Sequence, residues 1–357
     1  MCSGHKIAER IIVLKTKYLY INFRQMQFGI LGSGSWGTAL AKILTDSGEN
    51  IHWWVRNNET ISHIRQRRHN PHYLSSAYFD TSRLELSSNI NFVIEACDTL
   101  LLVIPSAYVN QSLSALNSDA LKGKKIISAI KGILPEKNQL LNEYLAENFN
   151  VDLKDYFTVL GPCHAEEVAA EKLSYLTFSG LDAAHAEKIA SCFNTEFIKT
   201  LINPDIIGVQ YAAILKNIYA MGAGIAHGLE YGDNFLSVYI ANSANEMVRF
   251  LREVKHEDST ASLNYAASVY LGDLLVTCYS LYSRNRMLGN MIGKGYSVKA
   301  AQLELGMVAE GYNASKCVHK TNEQLQVAIP IADIIYQILW QQLPPAEGFE
   351  QIETLLL

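Results

Sequence analysis

Residues 28–44 read Phe28-Gly29-Ile30-Leu31-Gly32-Ser33-Gly34-Ser35-Trp36-Gly37-Thr38-Ala39-Leu40-Ala41-Lys42-Ile43-Leu44. An apolar run meets a glycine-rich hexapeptide, and a helical pattern follows. Strand, tight turn and helix start is the context that a dinucleotide-binding G-x-G-x-x-G needs. Gly32 permits the turn. Gly34 lets the backbone approach a pyrophosphate, which then sits at the positive end of the helix. Gly37 lets that helix pack closely on the strand. The hexapeptide alone is also compatible with a plain structural turn; the flanking strand and helix favour a nucleotide.

Around this turn, strand signals recur at 27–31, 51–55, 99–104, 125–130, 156–160, 173–178 and 196–201, with helical periodicity at 36–47, 107–121 and 182–194. Such alternation predicts parallel strands with crossover helices. Thr99-Leu100-Leu101-Leu102-Val103-Ile104 is apolar throughout, as for a strand buried on both faces, and stops at Pro105-Ser106. From about 204 the pattern becomes helical, at 206–227, 235–255, 260–282, 297–306, 309–323 and 330–342. The fold expected is α/β: a Rossmann-type doubly wound sheet over residues 26–203, then an all-α substrate and catalytic domain over 204–357, with the boundary near Asn203-Pro204. A reactive site belongs in the cleft beyond the carboxyl ends of the strands.

A chain of 357 residues with 49% hydrophobic content has room for two cores. A net charge of −5 gives no general attraction to nucleic acid or an anionic membrane. The six cysteines, Cys2, Cys97, Cys163, Cys192, Cys278 and Cys317, form no C-x-x-C pair. That speaks against a zinc site or disulfide framework and for a reducing, cytoplasmic setting. His69 and His72 show no metal-ligand spacing with carboxylates, so no metal is expected. No apolar run approaches the ~20 residues of a membrane span. Residues 1–25 are basic, with a short apolar stretch at Ile11-Ile12-Val13-Leu14, and Met26 directly precedes the first strand. This segment is expected to be a loose extension or a mis-called start.

The second strand, Ile51-His52-Trp53-Trp54-Val55, ends in Arg56-Asn57-Asn58, with no carboxylate before Glu59. NAD-specific sites place an acid there for the ribose hydroxyl. Arg56 suits a 2′-phosphate or stacks on adenine, which leans toward NADP or dual use and leaves NAD open. In the helical half, Lys216 lies in the apolar stretch Gln210–Ala220, where an ammonium must be paired or lose its proton. Asp273 and Thr277 are four apart and share a helix face. Ser283-Arg284-Asn285-Arg286 is a run of phosphate-binding residue types.

These motifs, in order with Asn70-Pro71-His72-Tyr73-Leu74, Lys131-Gly132, Gly161-Pro162-Cys163-His164-Ala165, Gly232-Asp233-Asn234, Gly272-Asp273-Leu274 and Val308-Ala309-Glu310-Gly311, resemble the bacterial-type NAD(P)-dependent glycerol-3-phosphate dehydrogenases over about residues 26–345. The resemblance implies an oxidoreductase. It would interconvert dihydroxyacetone phosphate and sn-glycerol 3-phosphate with NAD or NADP and supply glycerol phosphate for phospholipid synthesis. It implies a homodimer, with Lys216 as general acid/base assisted by Lys131 and Asp273. Lys131, Gly161, Cys163, Asn217, Asp273, Thr277, Ser283, Arg284 and Asn285 would meet the substrate. Gly32, Gly34, Ser35, Trp36, Gly37, Arg56, Lys131, Arg284, Val308 and Glu310 would meet the cofactor. Read without the family, Lys131 follows the strand Ile126–Ile130 and projects from its end into the cleft, though the sequence is also compatible with an ordinary loop lysine; Asn217 and Thr277 are equally compatible with helix-packing polar residues, and a packing aromatic at Trp36 and a solvated helix carboxylate at Glu310 are the alternatives there. The family commonly has serine where this chain has Cys163, so a hydroxyl contact is in doubt there, and an inert buried thiol is expected. A reductase of the same architecture acting on a hydroxy acid or ketopantoate, and a catalytically silent nucleotide sensor, are the competing readings. The cationic cluster argues against the first and the lysine–carboxylate set against the second.

Overall fold

The structure, a computed structural model, describes residues 26–254 and 264–356. The expected status of residues 1–25 lies outside the described residues, as does part of the helix expected at 260–282.

Eight strands form one sheet: β1 (Phe28–Leu31), β2 (Ile51–Trp54), β3 (Leu84–Ser87), β4 (Thr99–Leu102), β5 (Lys125–Ser128), β6 (Tyr156–Leu160), β7 (Ser174–Ser179) and β8 (Ile198–Asn203). Their order is β3-β2-β1-β4-β5-β6-β7-β8. The order of strand addition reverses between β1 and the parallel β4, which places a crevice beyond β1, at the glycine turn. β1 and β4 are buried at every position, as strands covered on both faces must be. One face packs Leu40, Ile43, Trp53 and Phe178; the other packs Val93, Leu113, Ile126 and Leu145.

The expected parallel strands hold from β1 to β6 but not across the step from β6 to β7. β7 runs antiparallel to β6, and β8 is parallel to β7, so the last two strands are reversed. The link from β6 to β7 contains only the five-residue helix Ala165–Ala169, short of a crossover that would return the chain to the same end of the sheet. β3, a half-buried edge strand, escaped the sequence pattern because only Leu86 is fully buried. The helix expected at 107–121 is reduced to Val109–Leu113 after a short 3₁₀ turn.

The helical half is built on Ile206–Gly228, a 23-residue helix buried over most of its length. Asp205 starts it, accepting a hydrogen bond from the Gly208 N–H at 2.9 Å. Around it lie Asp233–Val254, Asp273–Tyr279, Arg284–Gly293, Val298–Leu305, Glu310–Leu325, Pro330–Trp340 and Pro345–Leu355. Arg284–Gly293 and Pro345–Leu355 were not foreseen. The described part of the helix expected at 260–282 is a π-helical turn, Ser268–Gly272, leading into Asp273–Tyr279, which stops at Ser280. Arg284–Gly293 lies backbone to backbone against the central helix: a Cβ on Gly224 would sit 2.1 Å from the Arg286 carbonyl oxygen, and one on Gly289 2.0 Å from that of Met221. That contact carries Arg284 and Asn285 to the side of the Lys216-Asn217 turn. Among the described residues, no helix is long and apolar enough to cross a membrane.

Candidate active site

At the glycine turn, Gly32 has φ +128, and a Cβ there would lie 2.6 Å from the Val103 carbonyl oxygen. A Cβ on Gly37 would meet the Gly32 carbonyl at 2.4 Å, so the turn and the helix Ser35–Asp46 close on each other. Gly34 is different: nothing lies within 4 Å of its Cβ position. It is the N-cap of the helix, and no side chain caps the N–H groups there. Open space above unclaimed N–H groups at a helix start fits a dinucleotide pyrophosphate. Ser35 and Trp36 form the first turn and are half-buried. Asn70, fully buried, braces this turn by donating to the Ser33 carbonyl (3.1 Å) and the Thr38 hydroxyl (2.9 Å). Arg56 stands apart, exposed just beyond β2.

The second group gathers between the sheet and the helices. Lys216 is 4% exposed and Asp273 1%. The Lys216 ammonium donates to Asp273 Oδ1, and Lys131 Nζ lies 3.8 Å from Oδ2. Lys131, three residues past β5, also donates to the Gly161 carbonyl at 3.2 Å, and its Nζ stands 5.5 Å from the centre of the Trp36 ring. That contact joins the glycine turn to the lysine–carboxylate cluster. Burial drives the Lys216 pKa down to about 7; Asp273 opposes this, and the neighbouring Lys131 charge adds to it.

Around the cluster the polar groups interlock. The Asn217 amide donates to the Lys131 carbonyl at 3.0 Å. The Asn285 amide donates to Asn217 Oδ1 (2.9 Å), and Asn285 Oδ1 accepts from the Gly311 N–H (2.9 Å). Thr277 donates its hydroxyl to the Asp273 carbonyl at 2.6 Å. Ser283 caps the helix Arg284–Gly293, accepting from the Arg286 N–H at 3.2 Å. Arg284, the first residue of that helix, is exposed, so its guanidinium is available to an anion. Cys163 is buried, its thiol donates to the Tyr175 carbonyl at 3.1 Å, and burial lifts its pKa to about 12. A thiol so held is not a nucleophile. Val308 is half-buried and precedes Glu310, whose carboxylate accepts from the Ser106 N–H (3.0 Å) and hydroxyl (2.6 Å). A Cβ on Gly132 would lie 2.6 Å from that carboxylate, which explains glycine after Lys131.

Three contributors were missed from the sequence. Ser106 was read only as the end of a strand, yet it fixes Glu310. Asn70 belongs to a quoted motif whose role no periodicity reveals. His164 stands in a quoted motif that gives it no role; its Nε2 is buried without a partner, and burial, then the Lys216 and Lys131 charges, push its pKa down to about 4, so it is neutral. Among the described residues no group of three or more His, Cys, Asp or Glu side chains is assembled as for a metal ion.

A Rossmann-type sheet joined to a helical half, with a buried lysine–carboxylate pair where they meet, defines a nicotinamide-dependent oxidoreductase. Residues 27–186 match the family model described as the NAD-dependent glycerol-3-phosphate dehydrogenase N-terminus, and residues 205–350 that of the C-terminus. The glycerol-3-phosphate dehydrogenase [NAD(P)+] of Lacticaseibacillus paracasei is 32% identical over 325 residues, covering 89% of this chain and 92% of that protein. The crystal structure of glycerol-3-phosphate dehydrogenase from Coxiella burnetii superposes with a TM-score of 0.84 at 26% identity, over 92% of this chain and 98% of that one. A ketopantoate reductase from Ralstonia eutropha shares the fold alone, with a TM-score of 0.52 at 13% identity over 90% of this chain and 99% of that one. The chain belongs to the NAD-dependent glycerol-3-phosphate dehydrogenase family.

Proposed function

We propose that this chain interconverts dihydroxyacetone phosphate and sn-glycerol 3-phosphate with NAD(P)H, supplying glycerol phosphate for phospholipid synthesis. The observation that carries the chemistry is the Lys216 ammonium, buried against Asp273 with Lys131 beside the same carboxylate. The nicotinamide, when bound, supplies or accepts the hydride at substrate C2. Gly32, Gly34, Ser35, Trp36 and Gly37 hold the dinucleotide at the helix start, with Arg56 at its adenosine end and Val308 and Glu310 on the facing segment.

Carbonyl reduction leaves charge on the C2 oxygen and needs a proton there; alcohol oxidation needs a base at the same atom. Lys216 serves both directions because its pKa of about 7 leaves both forms populated near neutrality. Asp273 holds the ammonium in place, and Lys131, beside the same carboxylate, orients the substrate oxygen. Arg284 supplies paired donors to the substrate phosphate. Asn217 and Asn285 fix the wall of the site, Gly161 and Thr277 complete its lining, and Ser283 sets the helix start that presents Arg284. Cys163 lines the site with its thiol hydrogen committed to the Tyr175 carbonyl. The dinucleotide and substrate domains divide at Asn203-Pro204, and the chain works as a cytoplasmic homodimer.

The pH dependence tests the role of Lys216. Reduction consumes the protonated lysine, so its kcat should fall as pH rises through about 7. Oxidation needs the free amine and should rise over the same interval. Profiles of equal sign in the two directions would remove Lys216 from proton transfer.

A further inference from the structure

A pair of histidines lies outside the catalytic cluster, on the segment that braces the glycine turn. The helix Asn58–Arg67 ends at Arg68, whose left-handed backbone (φ +65) folds the chain back on itself. The reversal sets His69 against the last turns of that helix, with His69 Nε2 3.4 Å from His63 Nε2. This separation is long for a hydrogen bond. It matches the span of two nitrogens on one tetrahedral ion, each at about 2.0–2.1 Å from it. The ring planes stand 80° apart with centroids at 4.7 Å, so the two nitrogens approach at an angle rather than head-on.

The tautomer fits as well. His69 Nδ1 lies 3.2 Å from the Asn70 carbonyl oxygen, which can only accept. The proton therefore sits on Nδ1, and Nε2 presents its lone pair. A carbonyl on the far nitrogen is the usual partner of a metal-bound imidazole. Both rings are partly exposed, which leaves room for water to complete a coordination shell. The Tyr78 ring packs edge-on to His69 at 5.5 Å and steadies it.

We propose that His63 and His69 form a two-histidine site for a borderline divalent transition-metal ion, with Zn²⁺ as the reference case, and that its occupancy is linked to dinucleotide binding. The link runs through Asn70. Its backbone carbonyl orients His69, while its side chain donates to Ser33 and Thr38 of the glycine turn and accepts from the His72 N–H at 3.0 Å. An ion that fixes the His63–His69 pair also fixes this brace. The linkage rests on the dinucleotide reading of the turn; ion binding does not.

The test is calorimetric titration of Zn²⁺ into the metal-stripped full chain, with and without saturating NADH. The expected result is one saturable site, weakened about tenfold or more in both His63→Ala and His69→Ala. NADH should change the zinc affinity, and zinc should change the NADH affinity by the same factor, as linkage requires. Circular dichroism of the variants checks that both stay folded. No saturable binding, or binding unchanged in the two variants, overturns the site. Equal zinc affinity with and without NADH overturns the linkage and leaves the site standing.

Discussion

The glycine turn and the Lys216 cluster solve their tasks in opposite ways. The turn works by what is missing: space above Gly34 and N–H groups with no side-chain cap. Its affinity comes from main chain and shape. The cluster works by side chains alone. Lys216 and Asp273 are packed out of water with the half-buried Lys131 beside them, so burial and these neighbouring charges set the protonation of Lys216. The first region should therefore tolerate loss of side chains and resist gain of them. The second should behave in the reverse sense.

The largest effect should come from Lys216→Ala. Loss of a positioned proton donor costs about 10²–10⁴ in kcat. NADH affinity, measured by fluorescence titration, should stay near normal; a near-normal kcat would break the contrast at its centre. Next comes Arg284→Ala. Removing a charge-assisted contact of about 1.5–3 kcal/mol should raise the KM for dihydroxyacetone phosphate roughly 10–100-fold, with kcat changed far less. An unaltered KM would move the phosphate site elsewhere. Gly34→Val adds a side chain where the turn needs space. Its Tm should match the parent, since the new Cβ meets nothing within 4 Å, while dinucleotide affinity falls about tenfold. A fall in Tm with affinity preserved would mean that this glycine serves the fold. The smallest effect is expected for Arg56→Ala. The side chain is exposed, so NADPH should weaken by only about 1 kcal/mol, and NADH by less. Equal losses for the two would refute the 2′-phosphate role.

The same contrast explains what the sequence made legible. The turn is contiguous, so its strand, glycines and helix could be read in one stretch. So could the wholly buried β4, since an apolar run needs no partner to be recognised. The reversed pair β7 and β8 could not be read so, because strand direction is set by the connection and not by the strand. Lys216 stood out as a charge in an apolar helix, but its pairing with Asp273 spans 57 positions and follows from helix packing. The helix Arg284–Gly293 was hidden because its polar start reads as a turn; it is buried through Gly289 and Leu288 against the central helix. The Ser106–Glu310 contact joins residues 204 apart, and no local pattern carries it.

The central claim is that this buried lysine cluster reduces a phosphorylated ketone presented by Arg284. The most direct measurement follows reduced-nicotinamide absorbance with purified protein, NADH or NADPH, and either dihydroxyacetone phosphate or unphosphorylated dihydroxyacetone. Rapid oxidation is predicted with the phosphate ester and almost none with the free ketone, and the ratio of NADH to NADPH rates assigns the preferred cofactor. Equal rates with both ketones, or no oxidation by protein that demonstrably binds NAD(P)H, would contradict the account.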